Sequence, residues 1–443
     1  MSRAAIAALF VLLEDGNYNR CVASIAETDL HGKVLSFEDA RQVVTECAEQ
    51  LRSTHSAGTE KLPLLEARGR VLAQGIRADR DLPPFPRATR DGYAVRSSDI
   101  AQIPARLKVV GQVKAGGLPP ANFAELQSGE AVEIMTGAPV PGGADAVVMV
   151  EYTEVILTNH VLIKRDAISG ENIVPQGSEG RQGEVLLDPG TRIGYPQIAV
   201  AAAVGASEVE VFRRPGVAIL STGDEVVPIT SIPAENQIRN SNSLSLAAQI
   251  MLAGGEPLQL PIAPDEPGRL RELIAEGLDC DLLLLSGGVS MGKYDLVEQV
   301  LADFSPAFLF TGCKIQPGKP VVFGRTHRLG RATYFFGLPG NPISTMVTFE
   351  LFARELVHAL SHARPEPLRF VQARLKAGFK TKTGLTRFLP GLIHYDDRES
   401  QVELLHWQGS GDIVTLARAN CYVAINPTRE KYEAGENITA LLR

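Results

Sequence analysis

Between Arg214 and Leu360 the chain alternates short, wholly apolar runs with segments of helical spacing. Val217–Leu220 and Leu282–Leu285 have no polar position at all. A strand that is apolar on both faces must be covered on both, and parallel sheets layered between helices are where such strands occur. Leu258–Ile262 and Val321–Phe323 read as further strands. Leu244–Leu252, Arg269–Leu278 and a stretch near Asp295–Phe304 have helical spacing, and a long helix follows Pro342 to about Leu360. This order predicts an α/β domain of the doubly wound type.

In such sheets ligands sit outside the carboxyl ends of the strands. Three Gly-rich loops fall there: Ser221–Glu225, Ser286–Gly292 and Gly337–Pro342. Glycines such as Gly223, Gly287, Gly288 and Gly340 let the backbone approach a ligand and expose N–H groups to anions. Asn341 and Pro342 suit the first positions of the following helix, whose positive end would face the same cleft. The loops therefore point to an anion, phosphate being the simplest choice, with tight turns as the competing reading. Asp224, Glu225 and Asp295 lie in or beside these loops, and Asp265 lies in a fourth strand-end loop, Ala263-Pro264-Asp265-Glu266-Pro267. Carboxylates near phosphate make sense if a hard cation such as Mg2+ bridges them. Helix capping competes for Asp265 and Asp295, which both precede expected helices. Lys319, in Gln316-Pro317-Gly318-Lys319-Pro320, is either a phosphate neutraliser or a surface charge.

The rest of the 443 residues divides by composition. Residues 1–32 form an extension, in which an apolar piece is followed directly by Glu14 and Asp15, without the pattern of a cleavable signal. Ser36-Phe37-Glu38-Asp39 is a capping box opening a helix to about Arg52, with Ala40, Val43, Val44 and Cys47 as its apolar stripe. Residues 78–178 hold short β-like runs (Leu107–Val110, Ala131–Met135, Ala146–Val150, Val161–Lys164) between Pro/Gly clusters, a compact β-rich module. His362 to Pro367 reads as a linker and 368–443 as a small β domain. A net charge of −7 argues against nucleic acid as a partner. Five scattered cysteines without a CxxC pair argue against a disulfide framework or thiolate zinc site and fit a reducing cytosol. No apolar run is long enough to span a bilayer. His358 and His362 are four apart but lack a third zinc ligand; they read as helix-end residues.

Taken in order, the motifs resemble one family. They are Asp91-Gly92-Tyr93-Ala94-Val95, Met135-Thr136-Gly137-Ala138-Pro139-Val140-Pro141, Ser221-Thr222-Gly223-Asp224-Glu225, Ile238 with Asn242, Ser286-Gly287-Gly288-Val289-Ser290-Met291-Gly292, Pro317-Gly318-Lys319-Pro320 and Gly337-Leu338-Pro339-Gly340-Asn341-Pro342. The set, over about residues 33–443, resembles the molybdopterin molybdenumtransferase (MoeA) family, which is related to the C-terminal domain of gephyrin. The GGVS loop separates it from the MogA-like adenylyltransferase branch. The resemblance implies a discontinuous elongated domain (33–77 with 179–210), an inserted β-rich module (78–178), a MogA-like α/β domain (211–364) and a β-barrel-like C-terminal domain (365–443). It implies Mg2+-dependent insertion of molybdenum from molybdate into adenylyl-molybdopterin with release of AMP. A cytoplasmic homodimer with its active site between subunits, and the adenylyltransferase of the same pathway as a partner, are implied too. Carried over residue by residue, it implies catalytic roles for Asp91, Thr136, Glu179, Glu225, Asp265 and Asp295. Substrate or phosphate contacts fall to Gly223, Gly287, Gly288, Ser290, Lys319, Pro339, Gly340, Asn341 and Pro342, and metal binding to Glu225 and Asp295.

The chain departs from the family pattern at Ala88, Glu179, Gly312, Gln316, Leu385 and Pro390, with Lys314 and Arg387 standing nearby. The departures leave open a non-catalytic scaffold of the same fold. A tungstate-handling or adenylyl-transferring relative is a third reading.

Overall fold

The computed structural model describes residues 33–117, 125–288, 296–328, 331–395 and 399–443. The extension 1–32 lies outside them. Compactness divides the chain into two units. One comprises Lys61–Arg68 and Leu72–Glu210, and the other the remainder, including Val211–Arg443.

The larger unit is built on a six-stranded sheet with both faces buried. Its strands are β1 (Gly216–Ser221), β2 (Glu256–Gln259), β3 (Leu282–Ser286), β4 (Ala307–Phe310), β5 (Val322–Arg328) and β6 (Arg331–Leu338). Their spatial order is β2-β1-β3-β6-β5-β4. β2, β1, β3 and β6 run parallel, and β5 and β4 complete an antiparallel edge. Helices α1 (Ser241–Ala253), α2 (Pro267–Gly277) and α3 (Leu296–Ala302) make the crossovers. The doubly wound expectation is met, and its reason is visible in the side chains. Val217, Ile219, Leu282, Leu284 and Phe336 bury one face against α1 and the helical segment 342–360. Ala218, Leu220, Leu283, Leu285 and Phe335 bury the other against α2 and α3. Each such leucine contributes about 1.5–3 kcal/mol by leaving water.

The helix Phe37–Thr54 starts where the capping box places it, with the Asp39 N–H donating to the Ser36 hydroxyl at 3.0 Å. Its stripe packs into the first of these cores, beside Phe310, Phe352 and Leu356. The helix after Pro342 runs to Leu360 but passes through one π-helical turn, Phe349–Ala353. Strands Phe370–Leu375, Thr386–His394, Gln401–Leu404, Cys421–Ile425 and Asn437–Leu442 close into a ring, because Thr386–His394 pairs with both Gln401–Leu404 and Cys421–Ile425. Phe388, Tyr422 and Leu441 of this barrel share the core of the α/β sheet, and Phe37 meets Phe388 edge-on at 5.0 Å.

The smaller unit has its own six-stranded sheet, ordered Ala146–Met149, Gly92–Val95, Glu130–Ile134, Ala105–Val113, His160–Ile163 and Thr153–Leu157. Leu107–Val110 falls within one of these strands, and the other three β-like runs overlap strands but end one residue past them, at Met135, Val150 and Lys164. Short pairs Ile76–Arg77 with Val185–Leu187 and Arg87–Ala88 with Ile173–Val174 flank it. Among the described residues no helix is long and apolar enough to cross a membrane. Cys47, Cys280, Cys313 and Cys421 are free thiols.

Candidate active site

Strand register assembles the Gly-rich loops. Ser221 pairs with Ser286, and Ser286 with Leu338, so β1, β3 and β6 end level. Their loops therefore emerge side by side. The chain leaves β1 for β2 on one side and returns to β3 on the other, and the gap between β1 and β3 is the switch point where such sheets bind ligands. A fourth loop joins through the Thr222–Ala263 bridge, with the Gly223 N–H on the Ala263 carbonyl at 3.2 Å. The Pro317–Pro320 turn reaches the same edge, because β5 starts at Val322 opposite Gly337.

Around the switch point lies a cavity of about 310 Å³, walled by Thr222, Glu225, Asn242, Ser286, Gly287, Gly340, Asn341 and Pro342. Asn242 fastens two of its walls: the side-chain amide donates to the Ser286 hydroxyl at 2.9 Å and to the Gly340 carbonyl at 2.7 Å. Gly287 is required here. Its φ is +94°, and a Cβ would stand 2.8 Å from the Thr222 carbonyl. Two buried polar atoms face no partner among the described residues, the Thr222 hydroxyl and the Asn242 amide oxygen. Buried polar atoms are rarely left so unless a ligand, water or ion completes them.

Asn341 precedes the helix as expected, with the Thr345 N–H on its carbonyl at 3.0 Å. Its side chain makes no capping bond and lines the cavity instead. The Pro339 carbonyl accepts from the buried Thr345 hydroxyl, which fixes the bend of that loop. Asp265 does not cap α2. The residue at the cap is Glu266, and the Asp265 N–H donates to the Asp224 carboxylate at 3.0 Å. Burial, then the charges of Asp224 and Glu225, push the Asp265 carboxyl above its usual range. Lys319 is exposed on its turn and lines neither this cavity nor the neighbouring one of about 710 Å³. Gly288 ends the described part of its loop. Ser290 and Asp295 lie outside the described residues.

The smaller unit brings its two polar loops together by the same means. Gly92 pairs with Ile134, so Asp91 comes beside Thr136. The Thr136 hydroxyl and N–H both donate to one Asp91 carboxylate oxygen at 2.6 Å. These bonds, the hydroxyl's first, hold the Asp91 carboxyl below its usual range. Gly92 admits no side chain, since a Cβ would lie 1.9 Å from the Val148 carbonyl. Glu179 pairs with Arg87 at 3.2 Å, next to the same loop. Arg387, which stands near the departures in the C-terminal domain, is buried and donates to Gln316 at 2.7 Å. It is a structural tie.

Three sequence profiles match successive parts of the chain: the MoeA N-terminal region (domain I and II) at 35–205, a probable molybdopterin binding domain at 218–359, and the MoeA C-terminal region (domain IV) at 372–442. A molybdopterin molybdenumtransferase of Bacillus subtilis is 32% identical over 393 residues, 87% of this chain and 90% of that one. The chain belongs to the molybdopterin molybdenumtransferase family. A Nostoc member of the family is 33% identical over 418 residues, covering 92% and 93% of the two chains. The crystal structure of a molybdopterin biosynthesis protein, MoeA of Pyrococcus horikoshii, matches with a TM-score of 0.71 at 29% identity, over 93% of this chain and all of that one. The family is one of transferases in molybdenum cofactor biosynthesis.

Asn240 and the anchoring role of Asn242 were not read from the sequence. Asn240 caps α1, accepting the Ser243 N–H at 3.1 Å. The Asn240-Ser-Asn-Ser run before an apolar helical stretch carried that signal.

Proposed function

We propose that this family member transfers molybdenum from molybdate into adenylyl-molybdopterin and releases AMP, with Mg2+ as a helper cation. The observation that supports it most is the level ending of β1, β3 and β6, which gathers three Gly-rich loops around one polar cavity. A pyrophosphate-linked ligand supplies what that cavity lacks. A phosphate oxygen accepts from the Thr222 hydroxyl, and a ligand N–H or O–H donates to the Asn242 amide oxygen.

In this reading Gly223, Gly287, Gly288, Ser290, Pro339, Gly340, Asn341 and Pro342 form the phosphate cradle, with Lys319 adding positive charge at the same edge. Glu225 and Asp295 would hold Mg2+, with Asp265 as a further carboxylate of the same site. No three acids, cysteines or histidines among the described residues cluster closely enough to enclose a metal alone. Mg2+ does not need such a cage: it keeps several waters and takes one or two carboxylates plus phosphate oxygens. Asp265 is raised first by burial and then by the charges of Asp224 and Glu225, and a cation would relieve that second part. Held there, Mg2+ would supply positive charge against the pyrophosphate oxygens. Water adds to one phosphorus and the bridging oxygen leaves with the other phosphate, freeing AMP. Molybdenum then binds the two dithiolene sulfurs, whose protons leave with one molybdate oxygen as water. Asp91, Thr136 and Glu179 position substrate from the inserted module.

The same reading makes the protein a cytoplasmic homodimer whose active site is completed across the subunit boundary. Its substrate comes from the adenylyltransferase of the pathway. The family's division into 33–77 with 179–210, 78–178, 211–364 and 365–443 goes with it. The test is to mix purified protein with adenylyl-molybdopterin, molybdate and Mg2+ and follow AMP. Molybdate-dependent release is the expected result. No release, where a B. subtilis family member works, sinks the reading.

A further inference from the structure

The amino ends of the same strands carry the opposite chemistry. Arg213 and Arg214 lie just before β1, Asp281 just before β3, and Arg331 begins β6. Because Val217 pairs with Leu282 and Leu282 with Tyr334, these residues converge. With His55 and His327 they line a cavity of about 680 Å³. Among the described residues Asp281 is the one acid on its wall, and its carboxylate is already engaged. It accepts the Gly216 N–H at 2.8 Å and pairs with Arg331 at 3.3 Å. Arg213 and Arg214 are in no ion pair among the described residues. Glu60, the acid whose titration they depress, is bonded first to Arg70. The His55 ring is held in place by a stack, with His362 at 5.9 Å and Phe212 a further 4.5 Å beyond. Burial pushes His55 toward its neutral form, so at neutral pH it offers a hydrogen bond while the arginines supply the charge.

Guanidinium groups match phosphate oxygens in both charge and geometry. In a chain of net charge −7, Arg213 and Arg214 beside the Arg331–Asp281 pair leave this cavity with a net positive lining among the described residues. We propose that this cavity binds a small phosphate-bearing anion, at a site separate from the loops at the carboxyl ends of the strands. It stands independently of the reaction proposed above.

Calorimetry on the full chain tests it, with inorganic phosphate, pyrophosphate and ribose 5-phosphate as probes. At least one should bind with a Kd below about 1 mM, and Arg214→Glu should weaken it by about tenfold or more. Arg214 is exposed, so that variant keeps the fold, and Arg331→Ala gives a second reading of the same site. Tighter binding of phosphate identifies a free anion as the ligand, and tighter binding of the sugar phosphate identifies an ester. Asn242→Ala, at the opposite end of the sheet, should leave this binding unchanged. Equal affinity in the parent and Arg214→Glu, a loss in Asn242→Ala instead, or no saturable binding below about 10 mM overturns the proposal.

Discussion

The two ends of the α/β sheet are made from the same strands, yet they treat charge differently. At the amino end Asp281, the one acid lining the cavity among the described residues, is tied to a backbone N–H and an arginine. At the carboxyl end Asp224, Glu225 and Asp265 crowd together. The difference teaches where incompleteness is tolerated. Crowded like charges cost stability, so a fold keeps them where a ligand relieves them. Substitutions at the two ends should therefore separate activity from stability.

The largest effect is expected at the carboxyl end from Gly287→Val. The new side chain must occupy a left-handed conformation and meet the Thr222 carbonyl. AMP release should fall by more than about 100-fold, the scale of an ångström-level misplacement. Urea unfolding should show a loss of about 1–3 kcal/mol from the strained backbone. Asn242→Ala comes next. It leaves the Ser286 hydroxyl and the Gly340 carbonyl without their shared donor. Stability should drop by about 1–3 kcal/mol, and AMP release by about ten- to 100-fold as the two loops part.

Asp265→Asn should split the two properties, lowering turnover while helping the fold. The raised carboxyl binds its proton more tightly in the folded state than in the unfolded one. Its contribution therefore favours folding at low pH and is lost as pH rises from the ordinary carboxylate range through the raised folded value. The asparagine variant lacks that loss. Its urea midpoint should gain on the parent's as pH rises through this window, and parallel curves would show that burial and the neighbouring acids do not raise this carboxyl. The smallest effect is expected at the amino end. Arg331→Ala breaks a half-exposed pair, worth about 0–1 kcal/mol, and AMP release should be unchanged. A large fall in turnover there would break the contrast between the ends.

Much of this was legible in the sequence because it is local. The apolar runs of β1 and β3 can only be buried strands, and the Ser36 capping box fixes a helix start within four residues. Glycines at strand ends announced the cavity before any coordinate. What stayed hidden depends on pairs distant in the chain. Nothing near Asp265 says that its N–H serves Asp224, 41 residues back, and not the next helix. The amino-end cavity draws on His55, Arg214, Asp281 and Arg331, whose spacing has no period and no motif. Arg387 looked available because its partner, Gln316, is 71 residues away.

The shared core beneath the barrel has a consequence for how the larger unit comes apart. Phe37, Phe352, Phe388, Tyr422 and Leu441 belong to one apolar cluster, so a detached C-terminal domain would keep its own barrel core of Ile393, Val402, Val423 and Ile438 but bare Phe388, Tyr422 and Leu441. Heating or denaturant should melt helix, sheet and barrel in a single cooperative transition, and trimming the chain ahead of Thr386 should yield an aggregating remnant rather than a smaller working protein.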